Sequence, residues 1–223
     1  AELAGQTASA LDVQARTRFN EANDSHYYLV PGVIVTIMTM IGALLTSLVM
    51  AREYERGTLE SLFVTPVGSG EILTAKAATN FLLGMVSLAI SMVFAAFVFD
   101  IPIRGSLLLL LAVSALFLIV ALGLGLVIST ATKNQFLACQ FAIMGTFMPA
   151  LMLSGFLYDI LNMPPAVRAV TYLIPARYYV TLLQTLFLAG DIPSVIIPCC
   201  ITLGVFAVVL MSIARLKAPK SLE

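Results

Sequence analysis

The chain has 223 residues, 60% of them hydrophobic and 11% charged, with a mean hydropathy of +1.01. Soluble domains carry roughly 25% charged residues and about half apolar ones, so this composition belongs in a bilayer, and the length admits a single membrane domain. The formal net charge is zero, so no global field draws the chain to nucleic acid.

The first stretch, "AELAGQTASALDVQARTRFNEANDSHYY", is polar and lacks the charged-then-apolar pattern of a signal peptide. Residues 1–26 are expected to be the tail of an extracytoplasmic region, and the chain a piece of a longer one. Five segments without Asp, Glu, Lys or Arg follow, at residues 27–50, 77–99, 105–131, 134–158 and 192–214. A crossing takes about 20 residues, and a helix is the open-ended structure that satisfies its own backbone hydrogen bonds in lipid. Each segment is therefore predicted to be a transmembrane helix. Pro31 is placed in the first turn of the first span, where its missing N–H is no loss. Tyr27, Tyr28 and Tyr158 fall at interface depth. Gly123 and Gly125 in the third span, and Gly145 with Pro149 in the fourth, allow close packing or bending.

Alternation puts the loops around 51–76 and 131–135 and the C-terminal tail on one face. That face carries Arg52, Arg56, Lys76, Lys133, Arg215, Lys217 and Lys220, against Arg16, Arg18, Arg104, Arg168 and Arg177 on the other. The first set clusters at span ends and is assigned to the cytoplasm.

Between the fourth and fifth spans, "DILNMPPAVRAVTYLIPARYYVTLLQTLFLAGD" is too polar and too interrupted by Pro164, Pro165 and Pro175 to cross cleanly. Two short helices fit, near residues 166–174 and 176–188, the first with Val167, Val170 and Ile174 on one face. They either lie in the headgroups or dip back into the membrane.

The stretch "AREYERGTLESLFVTP" holds five of the 24 charged residues (12 basic plus 12 acidic) between two apolar runs. On a helix, Glu53 and Arg56 are three apart, as are Arg52 and Glu55, and would pair along one surface. Gly57 breaks that helix. Thr58 is a natural N-cap for a new short one, "LESLF", with Glu60 in its first turn, and Pro66 stops it. The outcome is a short helix that is apolar through Leu59, Leu62 and Phe63 and polar through Thr58, Glu60 and Ser61. It is either an amphipathic connector or a docking knob, with Leu62 and Phe63 filling a partner's groove and the charges setting register.

Other chemistry is sparse. No G-x-x-x-x-G-K-[ST] run is present to cradle nucleotide phosphates. Cys139, Cys199 and Cys200 lie in apolar runs without metal-type spacing and read as small hydrophobic residues. His26 has no evident relay partner, and Ser154 has no base within the spans. The predicted spans also lack the buried carboxylate or base that a proton-coupled pump needs. Met144, Phe147, Met148, Leu151, Met152 and Phe156 form a soft, polarisable set, suited to an amphipathic substrate or to a plain bundle core.

"VMAREYERGTLESLFVTPVGSGEILTAK", with its E-x-x-x-G-T-x-E-x-L-x-x-x-P pattern, resembles the loop of ABC-2 type permeases, the membrane subunits of ABC exporters. "YYLVPGVI" is similar to the start of that family's second span and "LGLGLVIST" to its fourth. "LSGFLYDILNMP", "LIPARYYV" and "LFLAG" resemble the segment joining the fifth and sixth. The resemblance runs over about residues 16–215 and is nearest to the bacterial drug-efflux type. Two positions depart from it, Asp159 where a proline is common and Gln184 where a basic residue is common.

The fold class implied is all-α, a polytopic membrane helix bundle. Five of the family's six transmembrane helices would lie in this chain, with a short cytoplasmic coupling helix and short re-entrant or interfacial helices. The domains would be an extracytoplasmic tail (1–26), the permease domain (27–215) and a cytoplasmic tail (216–223). Arg52, Glu53, Arg56, Gly57, Thr58, Glu60, Leu62 and Phe63 would couple to the ATPase. Met148, Met152, Phe156, Arg177 and Tyr178 are candidates for the substrate path or outer gate. The chain itself would bind no cofactor and no metal and catalyse nothing, with ATP and Mg on a partner ATPase subunit. Further partners would be a second permease subunit, the lipid of the bacterial inner membrane and a periplasmic adaptor. A non-transporting scaffold that anchors a soluble complex, and an ion-coupled transporter, are the rival readings.

Overall fold

A computed structural model describes residues 26–57, 69–99, 101, 104–158 and 160–217. Every regular element among them is helical. Five helices are long and apolar enough to cross a membrane: span 1, Leu29–Glu55; span 2, Thr74–Phe97; span 3, Leu107–Thr132; span 4, Gln135–Leu153; and span 5, Pro193–Lys217. Of the predicted tails (1–26 and 216–223), residues 1–25 and 218–223 lie outside the described residues.

Span 3 is the axis of the bundle and touches the other four spans and the second of two short helices. Its sequence, with almost no polar residue for seven turns, suits burial on every side. Leu110, Leu118 and Val120 are fully buried there, with Met38 of span 1, Leu88 of span 2 and Leu203 of span 5 around them. Spans 3 and 4 are joined by a two-residue turn. Lys133 takes the left-handed conformation at φ 50°, and Asn134 caps span 4 by accepting the Leu137 N–H at 3.1 Å.

Span 1 meets span 3 at backbone distance. A Cβ on Gly125 would sit 2.7 Å from the Ala43 carbonyl oxygen, 2.9 Å from Thr46 Cβ and 3.1 Å from the Ser47 nitrogen. Only glycine permits that approach, which exchanges side-chain bulk for dispersion contact along the two helices.

Among the described residues, three elements contain a wide π turn: Met40–Leu45 in span 1, Ile143–Phe147 in span 4 and Thr185–Ala189 after the second short helix. The first two touch each other. In span 4 the cause is local. Pro149 has no N–H for the Gly145 carbonyl, and the Met148 N–H reaches back to Ile143 instead. The Thr146 hydroxyl donates to the Ala142 carbonyl at 2.5 Å within the same turn.

Several expectations need correction. Pro31 lies inside the helix His26–Thr39, not in its first turn, so the helix forgoes the i→i−4 bond that a residue with an N–H would make there. Span 1 continues as helix through Glu55 and is stopped by Gly57 at φ 66°, which places Arg52, Glu53 and Glu55 in its last turn. Span 4 ends at Leu153, five residues before the predicted 158, and Gly155 turns the chain at φ 90°. A Cβ on Gly145 would meet nothing within 4 Å, so no close packing requires glycine there.

Gly125→Val is expected to destabilise the protein by about 1–3 kcal/mol, as overpacking against rigid backbone does, and to lower the thermal unfolding midpoint in detergent. Gly145→Ala, with open space around it, should leave that midpoint nearly unchanged.

Candidate functional site

At the end of the bundle that bears the charged loop, span 1 is fastened on two sides. Lys76 Nζ of span 2 lies 2.7 Å from Glu53 Oε1, both side chains partly buried. On the other side the Gln135 backbone N–H, first in span 4, donates to Glu55 Oε2 at 3.0 Å. Arg52 Nε donates to Gln135 Oε1 at 3.3 Å. Two neutral contacts lie deeper. Asn80 Nδ2 donates to Thr46 Oγ1 at 3.0 Å, and the Ser47 hydroxyl donates to the Ala138 carbonyl at 3.3 Å. An apolar plug of Met50, Ala77, Leu126 and Ala214 fills the space between these helices.

The expected intrahelical pairs are therefore corrected. Among the described residues, Glu53 forms its ion pair with Lys76, while Arg52 and Glu55 both hydrogen-bond to Gln135. Long-range partners prevailed because three other helix ends crowd this one. The spacing rule sees only one helix at a time. Arg56 is exposed beside Gly57. Thr58, Glu60, Leu62 and Phe63 lie outside the described residues.

The opposite end is built by the two short helices, Pro165–Thr171 and Pro175–Gln184. The first is exposed along residues 165–170, Val167 and Val170 included. The second is buried. The Tyr179 hydroxyl donates to Ser114 Oγ at 2.7 Å, and its ring stacks on Phe117 with centroids 4.2 Å apart. Ser114 follows Leu107 by seven residues, about 10 Å of helix rise, so the second short helix reaches well into the bundle.

That pair of helices is pinned to the start of span 3. The Ser106 N–H donates to Asp191 Oδ1 at 2.9 Å, the Gly105 N–H to the Leu186 carbonyl at 2.8 Å, and Arg104 Nη1 to the Leu188 carbonyl at 3.2 Å. The Asp191 carboxylate thus sits at the positive end of the span 3 dipole.

The five candidate path residues divide into three groups. Met148 (48% exposed) and Met152 (41%) lie four apart with Met144 (66%) on one open face of span 4. Phe156, 9% exposed, has left that face. Its ring fills the place that a side chain on Gly32 would need, with Cδ2 1.8 Å from the position of a Cβ there. Arg177 and Tyr178 bind the short helices to each other. The Arg177 guanidinium donates to Thr171 Oγ1 and stacks over the Tyr172 ring at 3.9 Å. The Tyr178 hydroxyl donates to the Tyr172 carbonyl at 3.0 Å. Ser154 Oγ and Gln184 Nε2 are buried without a hydrogen-bond partner among the described residues.

Residues 4–188 match the ABC-2 type transporter family. The chain belongs to that family. It is 48% identical along its whole length to the "Probable multidrug ABC transporter permease YbhS" of Escherichia coli K12, of which it covers 59%. It is 30% identical over 79% of its length to "Probable multidrug ABC transporter permease YbhR" of the same organism, covering 48% of that protein. It is also 28% identical over 95% of its length to the "Inner membrane transport permease YhhJ" of Escherichia coli, covering 57%. The chain thus spans about half the length of these curated relatives. Within the family pattern, the contacts of Gln135 and Lys76 went unnoticed in the sequence. The lone lysine beside span 2 and the glutamine after Asn134 were the available signals.

Tyr179→Phe is expected to leave the Ser114 hydroxyl buried and unpaired, at a cost of about 1–3 kcal/mol. Tyr179→Phe with Ser114→Ala should recover most of that loss. Thermal unfolding of the single and double variants in detergent measures the coupling.

Proposed function

We propose that the chain is the membrane portion of a permease subunit of an ABC exporter in the bacterial inner membrane. It works with a separate ATPase subunit and a second permease subunit, and moves a hydrophobic or amphipathic substrate outward, drugs among the candidates. Membership of the ABC-2 family carries this reading, supported by the roles for which its relatives are named.

Arg52, Arg56, Lys76, Lys133, Arg215 and Lys217 stand at the charged-loop end, against Arg104, Arg168 and Arg177 at the end with the short helices. Lys and Arg collect on the cytoplasmic side, so the loop is assigned there, within reach of a soluble ATPase. Glu60, Leu62 and Phe63 form the docking surface, with Gly57 and Thr58 setting where it begins. ATP binding on the partner pushes this segment, and the spans convert the push into rigid-body or helix shifts. Met148 and Met152 offer the substrate a soft face, with Phe156, Arg177 and Tyr178 at the exit.

Phe63→Ala in the full-length protein is expected to weaken association with the ATPase by about tenfold, the loss of one central apolar anchor, and Glu60→Lys to act in the same direction. Co-purification and substrate-stimulated ATP hydrolysis measure both, and unchanged values in both variants would sink the docking role. Docking without substrate stimulation in the unaltered protein points instead to a scaffold. A cysteine at Thr58, in a background lacking Cys139, Cys199 and Cys200, should react with a membrane-impermeant maleimide only after the cytoplasmic face is opened.

A further inference from the structure

Residues 52, 53 and 55 occupy two sides of the last turn of span 1. At about 100° per residue, Arg52 and Glu55 lie some 60° apart on one side, and Glu53 stands well round from Glu55. One side reaches span 4 and the other reaches span 2. Both neighbours run antiparallel to span 1, and each is joined to it by two rungs of the same design. To span 2, the outer rung is the Glu53–Lys76 ion pair and the inner rung the buried Thr46–Asn80 hydrogen bond. To span 4, the outer rung is Arg52 and Glu55 on Gln135, and the inner rung is Ser47 on the Ala138 carbonyl.

The contact with Gln135 is the more constraining. A helix begins with four N–H groups that have no partner in the helix. In span 4 Asn134 takes that of Leu137, and Glu55, from a different helix, takes that of Gln135. Arg52 holds the side chain of the same residue. A backbone bond and a side-chain bond on one residue fix the rotation of span 4 as well as its position.

From this double fastening we infer that the last turn of span 1 is a yoke, which divides displacement of the charged loop between spans 2 and 4. Glu55 is the positioning residue for span 4, through Gln135, and Lys76 is the positioning residue for span 2, through Glu53. The inference rests on the exporter reading above, since it needs a nucleotide-driven push on the loop. Arg52, Glu53 and Glu55 then transmit the push that residues further along the loop receive.

The test uses the full-length protein in complex with its ATPase in lipid nanodiscs. Spin labels are placed at the exposed positions Phe136 of span 4 and Leu82 of span 2, each measured against a label at exposed Leu173. In the unaltered complex a non-hydrolysable ATP analogue should shift both distances. Glu55→Ala should reduce the shift at Phe136 at least twofold and leave that at Leu82, and Glu55→Asp should restore part of it. Lys76→Met should do the reverse. Co-purification with the ATPase should persist in all three variants, because neither residue belongs to the docking surface. Shifts present in the unaltered complex and retained at Phe136 in Glu55→Ala overturn the yoke and leave the exporter reading standing. An unaltered complex whose distances ignore nucleotide overturns the exporter reading and the yoke with it.

Discussion

Spans 1 and 3 approach one another at backbone distance because Gly125 presents no side chain to Ala43, Thr46 and Ser47. In lipid there is little hydrophobic drive between apolar helices, so association depends on close dispersion contact and on a few internal hydrogen bonds. The Gly125 contact supplies the first. It also brings Thr46 and Ser47 to the depth at which they meet Asn80 and Ala138. The placing of the charged turn at Arg52–Glu55 therefore descends from one missing methyl group further along the bundle.

The two ends are held by different chemistry. At the charged end the fastenings are side chains from different helices, partly wetted and screened by salt, worth little to overall stability one by one. At the other end, backbone bonds at Gly105 and Ser106, a stacked Phe117–Tyr179 pair and the buried Tyr179–Ser114 bond make a drier joint. Exposed ionic contacts rearrange with less penalty than buried ones, as the loading proposed for the charged end would require.

The number of spans was legible because uncharged runs of more than twenty residues have a single economical solution in a bilayer. The stop at Gly57 was legible as local chemistry, since a left-handed position favours glycine, and the break near Lys133 was legible from its charge. What escaped was whatever depends on a second helix. Pro31 was assigned to a first turn on the strength of proline's usual place, yet the helix already begins at His26. Glu53 was paired with Arg56 by spacing, and its salt-bridge partner proved to be Lys76, 23 residues on. Phe156 was grouped with a methionine face, but the turn at Gly155 carries it to Gly32. Whether the second short helix packs among the spans was undecidable from composition, because Tyr179 is apolar enough for either place. Its bond to Ser114 puts it against span 3.

The wide turns of spans 1 and 4 lie against each other. A π turn holds one residue more than an α turn needs, so each helix carries a unit of slack at the same contact. Were one such turn to tighten, the helix beyond it would screw round by about 100° and advance about 1.5 Å. Its neighbour, loosened in the same place, could absorb the change without opening a void. The slack of both helices is thus gathered at a single contact between spans 1 and 4.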